Sequence, residues 1–146
     1  MNKWDLIEKD THTVLKFEEK LKEDLKFMDY YKSVYISAKT GQRTDKLLSL
    51  AEEVYAHANF RIPTGALNDL LMDAMRISEP PSYLGRRLKM YYCSQVAVNP
   101  PVFTLFVNDD RLLHFSYARY LENVIRGAYD FSGTPIKIQV RNKKDE

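Results

Sequence analysis

The chain has 146 residues, of which 45% are hydrophobic and 29% are charged, and its formal net charge is +2. This length holds one ordinary domain, or one small domain with part of another, and the composition is typical of globular proteins. The charge is too small for a nucleic-acid-binding arm, and no apolar run approaches the ~18 residues of a membrane span, so we expect no membrane partner.

The first motif lies at the N-terminus, where residues 2–5 read Asn-Lys-Trp-Asp. The Asp5 carboxylate can accept hydrogen bonds from both N1–H and the exocyclic amine of guanine, a donor pair that adenine lacks. The Asn2 amide can contact O6 and N7, and the stem of Lys3 can lie along the ring. Trp4 is expected to pack at the edge of the pocket. The motif predicts half of a guanine-recognition site.

The next elements are a helix, a strand and a loop. Apolar residues at intervals of three and four predict a helix over residues 13–28. The apolar residues 34–36 predict a short buried strand, which leads into a Ser-Ala-Lys loop at residues 37–39. A backbone N–H at Ala38 can donate to guanine O6. This loop therefore predicts the second half of the base-reading site.

A second helix is predicted after Thr44, a good N-cap residue. Its inner face would carry Leu47, Ala51, Val54 and Tyr55. This order of elements is expected for the closing section of an α/β nucleotide-binding domain, although its single strand would have no sheet to join. Residues 59–65 predict a junction, because their proline disfavours helix at the preceding residue and Thr64 can cap the next helix.

The rest of the chain predicts an α+β domain of the order α-β-β-α-β. It contains a helix that ends by Glu79, strands over residues 88–97 and 102–107, a turn at 108–110, a helix over 115–128 and a strand over 135–141. Two prolines end the first helix, and tyrosines with β-branched residues favour the first strand. The last helix has an apolar face that begins at Phe115.

The groups that bind phosphate are not evident in the sequence. A phosphate-binding loop reads G-x-x-x-x-G-K-[ST], so that backbone N–H groups surround the phosphates. No pair among the five glycines has this spacing, and no Asp-x-x-Gly follows a predicted strand. Phosphoryl transfer without these groups loses most of its electrostatic catalysis. We therefore expect no catalytic residue in this chain, no GTP hydrolysis and no tight GTP binding.

Cysteine and histidine predict neither a disulfide nor a metal site. Cys93 is the single cysteine, which excludes an internal disulfide, and a buried thiol suits a reducing cytoplasm. The histidines at positions 12, 57 and 114 have no metal-ligand spacing. We therefore expect a cytoplasmic protein with no metal ligand.

The ordered motifs resemble one family. Similarity to the C-terminal KH-like domain of the Der (EngA) family of bacterial GTPases is carried by residues 80–82, 85–92, 100–103, 106–109, 114–123 and 133–136. Members have two consecutive GTPase domains followed by this domain. The resemblance implies that residues 1–59 are the end of the second GTPase domain and that 60–146 form the KH-like domain, with a three-stranded sheet and helices.

The resemblance also implies a function. The complete protein would be a GTP hydrolase that uses GTP or GDP with magnesium in large ribosomal subunit assembly, whereas no cofactor is expected in this chain alone. The guanine-binding residues would be Asn2, Lys3, Asp5, Ser37, Ala38 and Lys39. The expected partners are the large ribosomal subunit or its ribosomal RNA, and the missing GTPase domains.

Two interpretations of the KH-like domain remain open. RNA-binding KH domains hold the nucleotide backbone with a G-x-x-G loop, which this sequence lacks. The candidate RNA contacts are instead the basic residues Arg86, Arg87, Lys89, Arg119, Lys137 and Arg141. Tyrosines at positions 91, 92, 117 and 120 can stack on bases, or they can lie half in the core. The alternative is a protein-docking module that packs against the GTPase domains without direct RNA binding.

Overall fold

The computed structural model of the chain describes residues 1–8, 10 and 12–143. The helices are α1 (Thr13–Asp24), α2 (Thr44–Asn59), α3 (Thr64–Ile77) and α4 (Phe115–Ala128). The strands are β1 (Ser82–Tyr83), β2 (Arg86–Arg87), β3 (Met90–Ala97), β4 (Val102–Val107) and β5 (Lys137–Asn142). Across the described residues, no helix combines the length and the apolar character that crossing a membrane requires.

The main sheet has the order β3-β4-β5, with β4 antiparallel to β3 and parallel to β5. Parallel neighbours cannot be joined by a tight turn, and α4 supplies the crossover from β4 to β5. The α+β class and the order α-β-β-α-β are confirmed. One addition was not predicted: the loop at residues 82–87 forms the hairpin β1–β2, because Leu84 and Gly85 both adopt positive φ at its two-residue turn.

The two faces of the main sheet have different environments. One face packs against α3 and α4, and its fully buried side chains include Phe103, Leu105 and Val107. The other face, here called the open sheet face, is formed by the cross-strand rows Tyr92–Phe106–Arg141, Ser94–Thr104–Gln139 and Ala97–Val102–Lys137. Cys93 lies on the core side, as predicted, where burial raises the pKa of its thiol to about 12.

The first half of the chain packs against one end of this domain. The N–H of Gly133 donates to the carbonyl of Tyr30 (2.6 Å), and the N–H of Asn99 donates to the carbonyl of Ala58 (2.8 Å). The Arg126 guanidinium lies 4.7 Å from the centroid of the Tyr30 ring. Gly133 is a point of close approach, since a Cβ added there would overlap Val54.

Several predicted elements in the first half were wrong in extent or environment. The first helix ends at Asp24, and Met28 N–H donates to the Leu25 carbonyl in a tighter i→i+3 turn. Residues 34–36 are not a strand, because their backbone pairs with the N-terminal segment and no sheet formed by the described residues adjoins them. The predicted inner face of α2 is largely exposed, with Tyr55 65% exposed, because the described chain places no layer over it.

Some predicted helix ends and strand limits were also wrong. Arg43 and Pro63 occupy the N-cap positions of α2 and α3 without a side-chain hydrogen bond, so the adjacent threonines do not cap. Phe115 is 76% exposed because the buried stripe of α4 runs through Tyr117, Leu121 and Ile125. The strands β3 and β5 each begin two residues later than predicted, whereas β4 has the predicted bounds.

Gly133→Ala is expected to weaken the packing between the two halves of the chain. Gly133 has φ +81° and contacts Val54, so alanine introduces backbone strain and overpacking together. We expect a loss of about 2–4 kcal/mol in the free energy of unfolding. The matched control is Gly85→Ala, at φ +73° with open space around it, which should cost only about 1 kcal/mol. Urea unfolding followed by circular dichroism measures both. Equal losses would show that the Val54 contact relaxes freely.

Candidate functional site

The two guanine motifs are held side by side by backbone hydrogen bonds. The N–H of Ile36 donates to the carbonyl of Met1 (2.8 Å), and the N–H of Trp4 donates to the carbonyl of Ile36 (3.0 Å). Residues 1–4 therefore run beside residues 34–36, directly before the Ser-Ala-Lys loop. This short pairing brings motifs more than thirty residues apart into one surface.

A buried aromatic cluster also holds these two segments together. Trp4 is buried between Phe17 of α1 and Tyr35, with ring centroids 5.4 Å and 4.5 Å away. Burying aromatic rings is strongly stabilising, and tilted or edge-on pairs add to that gain. The expectation that Trp4 serves packing is confirmed.

Side-chain hydrogen bonds join the two motifs directly. The N–H of Ala38 donates to Oδ1 of Asn2 (3.0 Å), and Ser37 Oγ donates to Oδ1 of Asp5 (2.5 Å). Ser37 is fully buried, whereas Asn2 and Ala38 are exposed. These hydrogen bonds orient the carboxylate of Asp5 and the amide of Asn2. A guanine O6 that approaches Ala38 must share or replace the hydrogen bond to Asn2.

Two lysines complete the surface around these motifs. Lys3 is exposed and adopts φ +65°, a left-handed backbone that non-glycine residues rarely adopt, and its N–H donates to Asn2 Oδ1 (2.7 Å). Strained residues of this kind occur preferentially at ligand-binding sites. Lys39 is exposed in the turn after Ala38. The six residues predicted for guanine recognition are therefore adjacent in the structure, with Ser37 buried behind Asp5 and the other five at or near the surface.

The six basic residues predicted to contact RNA do not form one patch. Arg86 and Arg87 lie in the β1–β2 hairpin and pair with Asp109 and Glu79. Arg119 is exposed on α4, in the helical layer. The remaining residues, Lys89, Lys137 and Arg141, lie beside or on the open sheet face.

The four tyrosines also separate into two groups. The hydroxyl of Tyr117 donates to the carbonyl of Ser78 (2.6 Å), and that of Tyr120 donates to the carbonyl of Ala74 (2.9 Å). Both tie α4 to α3 and its C-terminal end, and burial raises the pKa of Tyr117 to about 12. These two tyrosines therefore lie partly in the core and not on a base-stacking surface. Tyr91 and Tyr92 are exposed on β3, at 37% and 43%.

Comparison with known proteins agrees with this arrangement of elements. Residues 61–141 match the family described as KH-domain-like of EngA bacterial GTPase enzymes, C-terminal. The chain belongs to the EngA (Der) family. It is 51% identical to the GTPase Der of Leuconostoc citreum and 52% identical to that of Clostridium tetani, over 99% of the chain and 33% of each relative. It thus spans about one third of the length of the curated relatives that it matches.

One charged group of this EngA-family chain was missed by sequence reasoning. Asp109 was assigned only to a turn, yet its side chain is buried and accepts hydrogen bonds from Arg111 Nη2 (2.9 Å) and Arg86 Nη1 (3.1 Å). The Arg111 hydrogen bonds, with the charges of both arginines, lower the pKa of Asp109 to about 2. Its position two residues before Arg111, just beyond the end of β4, was the available signal. Within the described chain, no cluster of three or more His, Cys, Asp and Glu side chains is suited to a metal ion.

Asp109→Asn is expected to reduce the acid sensitivity of the domain. An unfolded aspartate titrates near pH 3.9, above the native pKa of about 2. The stabilisation that ionised Asp109 provides is therefore complete above about pH 4 and is lost as the pH falls toward 2. The wild type should lose more unfolding free energy over this window than the variant. Urea unfolding at several pH values measures the difference.

The companion variant for this test is Arg111→Gln, which removes the main hydrogen-bond donor to Asp109. It should raise the pKa of Asp109 toward its ordinary value, as followed by carboxyl NMR titration. An Asp109 that already titrates near 3.9 in the wild type would contradict the ion-pair assignment.

Proposed function

We propose that residues 1–59 carry the guanine-reading edge of a GTPase domain and that residues 60–146 form a KH-like interaction domain. In this proposal the complete protein hydrolyses GTP during large ribosomal subunit assembly in the cytoplasm. The observation that carries the guanine assignment is the pair of side-chain hydrogen bonds, Asn2 with Ala38 and Asp5 with Ser37. The relatives named GTPase Der support the chemistry of the complete protein.

The chemistry of the site favours the base over the phosphates. Asp5 and Asn2 offer a carboxylate and an amide, which match the donor and acceptor pattern of guanine and mismatch adenine. The glycines of the chain lack the spacing of a phosphate-binding loop. GTP or GDP with magnesium therefore belongs to the complete protein, and this chain contributes base recognition.

The interaction domain is proposed to contact the large ribosomal subunit through its ribosomal RNA. The support is the exposed basic and aromatic surface around β3 and β5, which includes Tyr92, Lys137 and Arg141. Aromatic side chains stack on bases and cations neutralise phosphates, so this composition suits nucleic acid.

A second candidate function is docking against the GTPase domains without RNA contact. It is favoured by the contacts that already join the two halves of this chain, where His57 Nδ1 lies 3.0 Å from the Ser132 carbonyl and Gly133 approaches Val54. The two candidates differ in salt dependence. The affinity for RNA falls steeply as the salt concentration rises, whereas the affinity of docking through packing and backbone hydrogen bonds does not.

Calorimetric titration of GDP tests the guanine assignment. The 146-residue chain should bind GDP weakly, with Kd of roughly 1 mM or more, and a longer chain that includes the phosphate loop should bind far more tightly. In the longer chain, Asp5→Asn should weaken GDP binding at least about 100-fold, because it loses a charge-assisted bidentate contact. Asp69→Asn, an exposed α3 position with the same charge change, is the matched control.

The base dependence supplies the second readout. Xanthosine diphosphate carries an oxygen in place of the guanine amine, so the amide of Asp5→Asn can donate to it, and the variant should prefer this nucleotide. Equal GDP affinity of the longer chain with and without Asp5→Asn would show that Asp5 does not contribute to guanine recognition. Micromolar GDP binding by the 146-residue chain would refute the requirement for phosphate contacts.

A further inference from the structure

The open sheet face presents a pair of stacked aromatic rings on adjacent strands. The rings of Tyr92 and Phe106 lie 4.2 Å apart between centroids, at an interplanar angle of 13°. Phe106 is half-buried on the central strand, whereas Tyr92 is on the edge strand and 43% exposed. Phe106 therefore supports one side of the Tyr92 ring and leaves much of the ring to solvent. Such a rigid, exposed ring can stack on a nucleobase at little entropic cost.

A second ring lies beside this pair. The register of β3 with β4 shifts between Met90 and Tyr92, and the intervening Tyr91 is exposed. The ammonium groups of Lys89 and Lys143 lie 5.4 Å and 5.0 Å from the centroid of its ring. The irregularity thus places two neighbouring tyrosines at the surface of one strand, with two cations around the first.

The cations of this region are available for phosphate. No ion pair formed among the described residues involves Lys89, Lys137, Arg141 or Lys143. None of the nine residues in the three rows of the open sheet face is acidic. In contrast, Arg86 and Arg87 already pair with carboxylates. An unpaired cation gains more from a phosphate because it has no carboxylate to give up.

The middle of the open sheet face is polar. Gln139 Nε2 donates to Thr104 Oγ1 (2.8 Å), and Ser94 and Gln139 are both partly exposed. A protein-docking face is apolar and uncharged at its centre, which does not describe this surface. Hydroxyl and amide groups beside a stacking ring can instead hydrogen-bond to a ribose 2′-OH or to base edges.

We propose that the open sheet face, extended by Tyr91, Lys89 and Lys143, binds single-stranded RNA through base stacking on Tyr92. Lys137, Arg141 and the two flanking lysines hold the phosphates. The strand must be single because a duplex hides the ring faces of its bases. This inference rests on the proposed RNA contact and names its surface, which is the sheet and not the helical layer that carries Arg119.

Fluorescence anisotropy with a labelled, unstructured RNA of about ten nucleotides tests the proposal on the full 146-residue chain. Tyr92→Leu, which keeps apolar bulk beside Phe106, should weaken binding about tenfold through the loss of one stacked base. The double change Lys137→Gln and Arg141→Gln should reduce the slope of log affinity against log salt by about 1.4, since each single-strand phosphate contact contributes about 0.7.

Matched controls lie in the helical layer. Arg76→Gln on α3 and Arg119→Gln on α4 make the same charge change as each sheet substitution and should leave the affinity within about twofold of the wild type. Thermal unfolding followed by circular dichroism checks that every variant is folded. The DNA oligonucleotide of the same sequence should bind less tightly, because it lacks the 2′-OH groups.

The outcomes separate this inference from the proposed function. Wild-type affinity in Tyr92→Leu, or a larger loss of affinity in Arg119→Gln than in the sheet variants, would refute the open sheet face as the RNA-binding surface. The proposed RNA contact itself would then still stand. Equal affinity for DNA and RNA would overturn RNA as the occupant. Failure of the wild type to bind any RNA would overturn both this inference and the proposed RNA contact, and would leave the guanine assignment to its own titration.

Discussion

The KH-like domain depends on the position of β4 at the centre of its sheet. This strand pairs antiparallel with β3 and parallel with β5, and its core-side residues Phe103, Leu105 and Val107 are fully buried. A parallel partner requires a crossover, so α4 must pass over one face of the sheet before β5 can join. The same face receives α3. The opposite face therefore remains open, and the proposed RNA surface is a consequence of this topology.

The segments proposed for guanine recognition are stabilised differently, without a sheet among the described residues. Trp4 packs between Phe17 and Tyr35, and a few backbone hydrogen bonds hold residues 1–4 beside residues 34–36. The apolar side of α2 is meanwhile exposed over much of its length. The chain spans about one third of the length of its curated relatives. Local packing thus keeps the groups proposed for base recognition oriented, although α2 has a largely unburied face.

Ion pairing separates the six basic residues that were predicted to contact RNA into different groups. The sequence offers six candidates that differ only in their neighbours along the chain, and each has the same formal charge. In the folded domain, Asp109 and Glu79 engage the two arginines of the hairpin, while Arg119 lies in the helical layer. The three candidates near the sheet form no ion pair among the described residues. Sequence proximity could not reveal this, because the carboxylate that pairs with Arg86 is 23 residues away.

The sequence by itself determined the family and the type and order of most helices and strands, and it supplied the residues that are proposed for guanine recognition. The spacing of apolar residues located all four helices, and the apolar run after two prolines located β4 to the residue, because these patterns reflect local backbone geometry. The tertiary structure alone decided which faces are covered, which is why the faces predicted from Leu47 and Phe115 are exposed. It also decided which tyrosines donate hydrogen bonds to backbone carbonyls and which basic side chains form no ion pair with a carboxylate among the described residues. These properties depend on contacts between distant segments, and a periodic pattern carries no information about the partner.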